Sequence, residues 1–256
     1  KQAFSWLSIA PAFSNFIGPF MAGLLIDHAG FQWAFAAMAA LPLIAWLWIR
    51  QAHELPKVIK PEGHENNSAW DLLNEPMFRR LLMVNWFLSA CWDVHTFVVP
   101  ILGHERGLSA SAIGSILGVF ALAAAFIRMM MPFIAARLHE WQVVTGAMLI
   151  TSFMLAVYPF TETAWLMGAC SVLVGLSLGG VQPMIMSTLH QITPAHRQGE
   201  ALGLRIMAVN ASSVVMPLIF GAAGAVAGVS AVFWVVGAGV GSASPLAWRL
   251  RPRKSH

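Results

Sequence analysis

The sequence predicts an all-α, polytopic membrane protein with eight transmembrane helices. Three observations lead there. Of its 256 residues 58% are hydrophobic and only 10% are charged, whereas an ordinary soluble domain carries about 25% charged residues. The apolar residues fall in runs of the roughly 17–25 residues that a helix needs to cross a bilayer. Eleven Trp against a single Tyr also fit a membrane protein, with Trp at several run ends where amphipathic rings settle at the interface.

The eight runs are 5–26, 31–50, 78–102, 110–136, 141–160, 164–189, 199–224 and 226–248. Links such as Asp27–Gly30 and Thr161–Thr163 are too short for anything but antiparallel neighbours. The long link, Gln51–Met77, is polar and contains Pro56, Pro61, Pro76, Asn66 and Asn67, so it reads as a tether rather than a folded unit. The organisation expected is therefore a two-span group over 1–50, a link over 51–77, and a six-span bundle with a short basic tail over 78–256.

Lys and Arg orient these spans. All but three of the fifteen lie with the termini and the long link, Arg106 stands alone on the opposite side, and Arg128 and Arg205 fall inside spans. The positive-inside rule makes both termini and the long link cytoplasmic. The net charge of +4 is then topological, and no nucleic-acid partner is expected. Cys91 and Cys170 sit in apolar runs and offer neither a disulfide framework nor a metal site. The chain opens at Lys1 without an initiator Met or a signal-peptide n-region and reads as a piece of a longer protein.

Two segments echo each other. In "IGPFMAGLLIDHAGFQWAF", Pro19, Gly23, Gly30 and Phe35 stand at the same spacing as Pro217, Gly221, Gly228 and Phe233 in "VMPLIFGAAGAVAGVSAVF", each pair 198 residues apart. Pro inside a membrane helix is tolerated where neighbours satisfy the freed backbone groups, and small residues let helices approach closely. Gly18, Ala22 and Gly23 predict such a smooth face. Transporters commonly contain parallel repeats of this sort. Asp27, at the helix end, reads as a solvated or capping carboxylate.

The segment "SNFIGPFMAGLLIDHAG" resembles the fifth-span "antiporter" motif of the major facilitator superfamily. Gly18-Pro19 and Ala22-Gly23 match it, while Ser14 stands where a glycine is usual. The resemblance implies a partial form of that fold, spans five to twelve of twelve, with the first four spans missing in front. It also implies that the helix bearing Gly18, Pro19 and Gly23 packs near the interface of the two halves and helps seal the external side, with Pro217 and Gly221 as its echo.

Ionisable groups within spans are functional candidates by default. Asp93 leads, in "NWFLSACWDVHTFVVP". At about 100° per residue, Asn85, Ser89, Trp92, Asp93 and Thr96 form a polar stripe, and the resemblance makes this the cavity-lining seventh span. Asp93 is either a proton-coupling or cation-contacting carboxylate or a structural hydrogen-bonded one. His95, on another face, reads as an interhelical hydrogen-bond partner. Arg128 either snorkels or takes part in a gate with Arg137 and Glu140, although "AARLHE" lacks the Asp and Gly usual in the family. Arg205 either holds an anionic group, pairs with a carboxylate or snorkels. Asn210, Ser212 and Ser213 read as helix–helix hydrogen bonds. Gly175, Gly179, Gly180 and Pro183 mark a closely packed, flexible helix that the resemblance makes the tenth span, with Gln182 and Met186 as solute contacts or packing residues.

No hydrolase, kinase, Walker or metalloprotease signature is present, and no cofactor or metal is expected. The function expected is secondary active transport of a small organic solute across a bacterial-type inner membrane by alternating access, driven by protons, with efflux first. Alternatives are import of an organic anion by proton symport, a truncated remnant that does not transport, and an intramembrane enzyme using Asp93 and His95. The partners expected are the solute, protons, the lipid bilayer and the missing spans.

Overall fold

A computed structural model of the chain describes residues 2–50, 69–135 and 138–251, with side chains from Ser14 onward except at Pro132 and Ala135. Ten α-helices follow in order among these residues: α1 Gln2–Ala29, α2 Phe31–Ile49, α3 Pro76–Asp93, α4 Val99–Glu105, α5 Ala110–Ala135, α6 Glu140–Val157, α7 Ala164–Gly179, α8 Val181–Ile192, α9 Gln198–Ala227 and α10 Val229–Trp248. No strand occurs among the described residues.

Two pairs make single spans. A π-helical turn over Val94–Val98 joins α3 to α4, and Gly180 joins α7 to α8. Seven helical units are long and apolar enough to cross a membrane. The eighth, α1, is a continuous helix of 28 residues with side chains described only from Ser14, and stands outside that count. Of the long link, residues 51–68 lie outside the described part. Its last portion is not a simple tether: Ala69–Asn74 forms a 3-10 turn that buries Leu72 in the core.

Helix ends are set by local chemistry. Pro76 opens α3 at a position where its missing N–H costs nothing. His139 caps α6, its N–H donating to Gln142 Oε1 at 2.9 Å, and the Thr163 hydroxyl caps α7 by accepting from Leu166 N. Between α1 and α2, and again between α9 and α10, a single glycine makes the reversal. Gly30 has φ 84° and ψ 169°, Gly228 has φ 85° and ψ 155°; only glycine enters that region cheaply.

The core lies where α3, α6, α7, α9 and α10 meet. Tyr158 and Phe233 stack there with centroids 5.1 Å apart, among Leu81, Met148, Val174 and Val240. α5 is the hub that ties α1 on. α1 packs on one of its faces and α7 on another, both through glycine. A Cβ on Gly23 would overlap the Ala110 carbonyl, one on Gly114 the Pro19 carbonyl, and one on Gly175 or Gly179 the backbone of α5. Gly18, expected on the same smooth face, has open space around its Cβ position. Gly23 and Pro19 make that contact instead, because Gly18 is five residues from Gly23 and so is turned well away from it around the helix.

Asp27 completes the α1–α5 contact. Its Oδ1 accepts from Ala110 N at 3.0 Å and its Oδ2 from Ser111 N at 2.7 Å, while Ser109 Oγ accepts from Ala112 N at 3.2 Å. The first N–H groups of α5 are thereby satisfied, by a carboxylate at the favourable end of the helix dipole. The Ser111 hydroxyl and N–H hold the Asp27 carboxyl below the usual carboxylate range. At this same end the Arg106 guanidinium donates to the Pro159 carbonyl. At the opposite, Arg-rich end, Arg251 lies over Trp141, which meets Trp248 edge-on.

Candidate functional site

A cavity of about 550 Å³ opens between α3, α5, α8 and α9. Its wall carries Ser89, Trp92 and Asp93 from α3, Arg128 from α5, Gln182 and Met186 from α8, and Ser213 from α9. Four elements distant in sequence therefore converge on one hollow, and the apolar surroundings make each polar group there conspicuous.

Asp93 is 8% exposed. Its Oδ2 accepts a hydrogen bond from Ser212 Oγ at 2.8 Å and its Oδ1 one from Ser213 Oγ at 3.2 Å. Among the described residues Asp93 has no ion-pair partner. Both carboxylate oxygens are thus met by hydroxyls alone.

Arg128 is placed by a break in the opposite helix. In an unbroken helix the N–H of residue 183 would bond to the carbonyl of residue 179. Pro183 has no N–H, so Gly179 O is released, and Arg128 Nε donates to it at 3.2 Å. The guanidinium carbon also lies 5.7 Å from the Trp92 ring centroid, within cation–π range. Arg205 stands behind the wall: it donates to Gln182 Oε1, and its buried Nε has no partner among the described residues.

The expected polar stripe on α3 divides. Ser89, Trp92 and Asp93 reach the cavity. Asn85 is 1% exposed and buried away from it, with Nδ2 unpartnered. Thr96 is exposed and donates to the Trp92 carbonyl of its own helix at 3.0 Å. The π turn beginning at Val94 adds a residue to one turn, so the stripe ends at Asp93. Of the α9 residues expected to bridge helices, Ser212 and Ser213 do so, whereas Asn210 is exposed and outside the cavity.

His95 is fully buried on another face, its Nε2 2.9 Å from Ser171 Oγ and its ring stacked on Phe120. Ser171 also meets Tyr158 OH at 2.9 Å. Glu140 accepts from Ser187 Oγ and Gln191 Nε2, both at 2.9 Å, tying α6 to α8; Arg137, its expected gate partner, lies outside the described residues. Pro217 lies within α9, and the Gly221 Cβ position is open.

Two relations were not read from the sequence: the pairing of Asp93 with the two serines, and that of Arg205 with Gln182. The adjacent Ser212-Ser213 one turn before Pro217, in an otherwise apolar span, was the available signal for the first.

A family model described as Major Facilitator Superfamily matches residues 1–205 and, in a second placement, residues 81–256. Two overlapping placements of one model are what an internally repeated architecture produces. No curated protein matches the chain. With apolar membrane-length helices, a cavity walled by four of them and a family match spanning its whole length, the chain belongs to the Major Facilitator Superfamily and is an integral membrane transporter.

Proposed function

We propose that the chain is the greater part of a proton-coupled secondary transporter that moves a small organic solute through the α3–α5–α8–α9 cavity by alternating access, with Asp93 carrying the coupling proton. The observation behind this reading is the company Asp93 keeps. A cationic partner would hold the carboxylate ionised, but a serine hydroxyl both donates and accepts. Ser212 and Ser213 donate to the charged form, and by rotating one hydroxyl they satisfy the neutral acid as well. Gaining and losing a proton then leaves no buried polar group orphaned.

The Arg-rich end is cytoplasmic in this proposal, in a bacterial-type inner membrane, and α1 and α2 belong to a first bundle that four further helices complete. What supports this is the exposed face of α2, of which only Ala34 is buried, and the open Gly221 face of α9. The α1–α5 contact, sealed by Gly23, Gly114 and Asp27, closes the external side. The Gly18-Pro19 motif supports efflux by proton exchange. Arg128 on the cavity wall supports the second reading, uptake together with protons.

The test reconstitutes the chain, alone and with the four upstream spans restored, in liposomes holding a pH dye. Solute-driven proton movement that disappears in Asp93→Asn is the expected result, and its direction separates exchange from uptake. Proton movement that persists unchanged in Asp93→Asn removes Asp93 from the mechanism. Movement only with the four spans restored marks the chain alone as a remnant, and none in either form removes the proton-coupled reading.

A further inference from the structure

We propose that the cavity is an oxyanion site: the solute it takes is an amphipathic organic carboxylate, gripped by Arg128, Gln182 and Ser89. This rests on the reading of the cavity as the solute site and names the class of solute. It follows from counting which polar groups on the wall are already engaged.

The charged acceptor is engaged. Asp93, the acidic group on the wall, has each oxygen met by a serine hydroxyl. The donors are not. Arg128 uses Nε on Gly179 O, and its two terminal nitrogens have no partner among the described residues. Gln182 is held through its carbonyl oxygen by Arg205, which leaves its amide nitrogen as the end free for the cavity. Ser89 is 7% exposed, lines the cavity, and its hydroxyl has no partner. A wall whose carboxylate is engaged and whose guanidinium and amide N–H groups are spare recognises an acceptor-only group, and a carboxylate is that group. A planar guanidinium suits it especially, because it can donate two parallel bonds.

The rest of the wall describes the rest of the solute. Trp92, Leu178 and Met186 give an apolar and partly aromatic lining, and Trp92 already lies beneath the guanidinium. A ring-bearing body adjoining the carboxylate fits both. Arg205 is a positioning residue here: it acts by fixing which end of Gln182 is presented. The sign of the coupling also follows. A proton on Asp93 removes the one negative charge on the wall, so proton and anion strengthen each other's binding, and by reciprocity they load together. That arrangement favours uptake over exchange.

The experiment measures equilibrium binding to the purified chain of three probes with the same ring system: 2-naphthoate, neutral 2-naphthamide and cationic 2-naphthylmethylammonium. The expected result is preference for 2-naphthoate, lost roughly tenfold or more in Arg128→Gln, as befits a charge-assisted hydrogen bond. Arg128→Gln also removes the Gly179 bond, so Gln182→Glu serves as the second variant. It keeps a partner for Arg205 while replacing a donor with a negative charge, and is expected to abolish the preference in a chain that circular dichroism shows to be folded. Asp93→Asn is expected to bind 2-naphthoate as tightly or more tightly. Preference for the amide or the cation, equal binding of all three, or no binding by the folded chain overturns the proposal. If naphthoate selectivity is absent while Asp93-dependent proton movement stands, the oxyanion site alone is wrong. If selectivity holds while proton movement ignores Asp93→Asn, only the coupling reading falls.

Discussion

The α1–Gly30–α2 and α9–Gly228–α10 hairpins are built alike and used differently. Their turns are alike in backbone terms: the two glycines share φ to within a degree, and each donates its N–H four residues back, Gly30 N to Ile26 O and Gly228 N to Gly224 O, although Gly30 O accepts from Ala34 N and Gly228 O from Ala231 N. Their surroundings diverge. Gly23 is pressed against α5, while its counterpart Gly221 has open space at its Cβ position. Phe35 is 72% exposed, while Phe233 is fully buried against Tyr158. Asp27 caps α5, and the residue 198 positions on is Ala225, which has no carboxylate to offer. The repeat therefore duplicates what a helix pair does to itself. What each face packs against comes from the rest of the fold.

The strongest way to break this comparison is at the crowded glycine. Gly23→Ala places a methyl on the Ala110 backbone, which cannot yield as a side-chain tip can. A cost at the upper end of the 1–3 kcal/mol typical of overpacking is expected, read as thermal unfolding of the purified chain, together with loss of cysteine cross-linking between α1 and α5. A stability unchanged from the parent would mean that α1 does not rest on α5 as described.

The turn glycines sharpen the comparison from the other side, because here the halves should respond alike. Gly30→Ala and Gly228→Ala each force a side chain into a glycine-only region, at a cost of order 1–3 kcal/mol. Both Cβ positions are otherwise open, so the two losses should agree. A large difference in melting temperature between them would show that the turns are not equivalent.

Asp27→Asn is expected to act more gently and to be visible through pH. The folded carboxyl lies below its ordinary value because Ser111 and the α5 amides hydrogen-bond the charged form. Its contribution is thus present above the ordinary carboxylate range and is lost as pH falls through that range toward the depressed value. The wild type should lose this stability in acid and Asp27→Asn should lack that step; an identical acid profile would dismiss the cap. The smallest effect belongs to Gly221→Ala, expected within about 0.5 kcal/mol of neutral, or stabilising by up to about 1 kcal/mol from helix propensity.

Much of the fold was legible because bilayer thickness and the deficit of charge constrain it so tightly. The boundaries of α2, α5, α6 and α10 fall within a few residues of the apolar runs, although the break expected at residue 225 falls at Gly228. The burial of Leu72 was not legible, since a polar, proline-rich link carries no periodicity to set it apart. The candidate site was legible by residue type and not by relation. Asp93, Arg128, Arg205 and Gln182 stand out as polar groups in apolar runs. That Arg128 would answer the carbonyl freed by Pro183, or that Arg205 would hold one end of Gln182, depends on helix rotations that hydropathy does not encode. Thr96 and Asn210 were misplaced for the same reason: periodicity fixes relative angle along one regular helix, and the π turn ends that regularity for α3.

That turn has a consequence for any accessibility scan along this span. One additional residue in a turn advances the helix phase by about 100°. A wheel drawn from Pro76 therefore loses its bearings at Val94, and positions from Val99 to Glu105 report on a different compass direction than their numbering suggests. Thiol-reactive probes walked from residue 80 to residue 105 should show a labelling rhythm of three to four residues that stumbles once, between 94 and 98, and then resumes out of step.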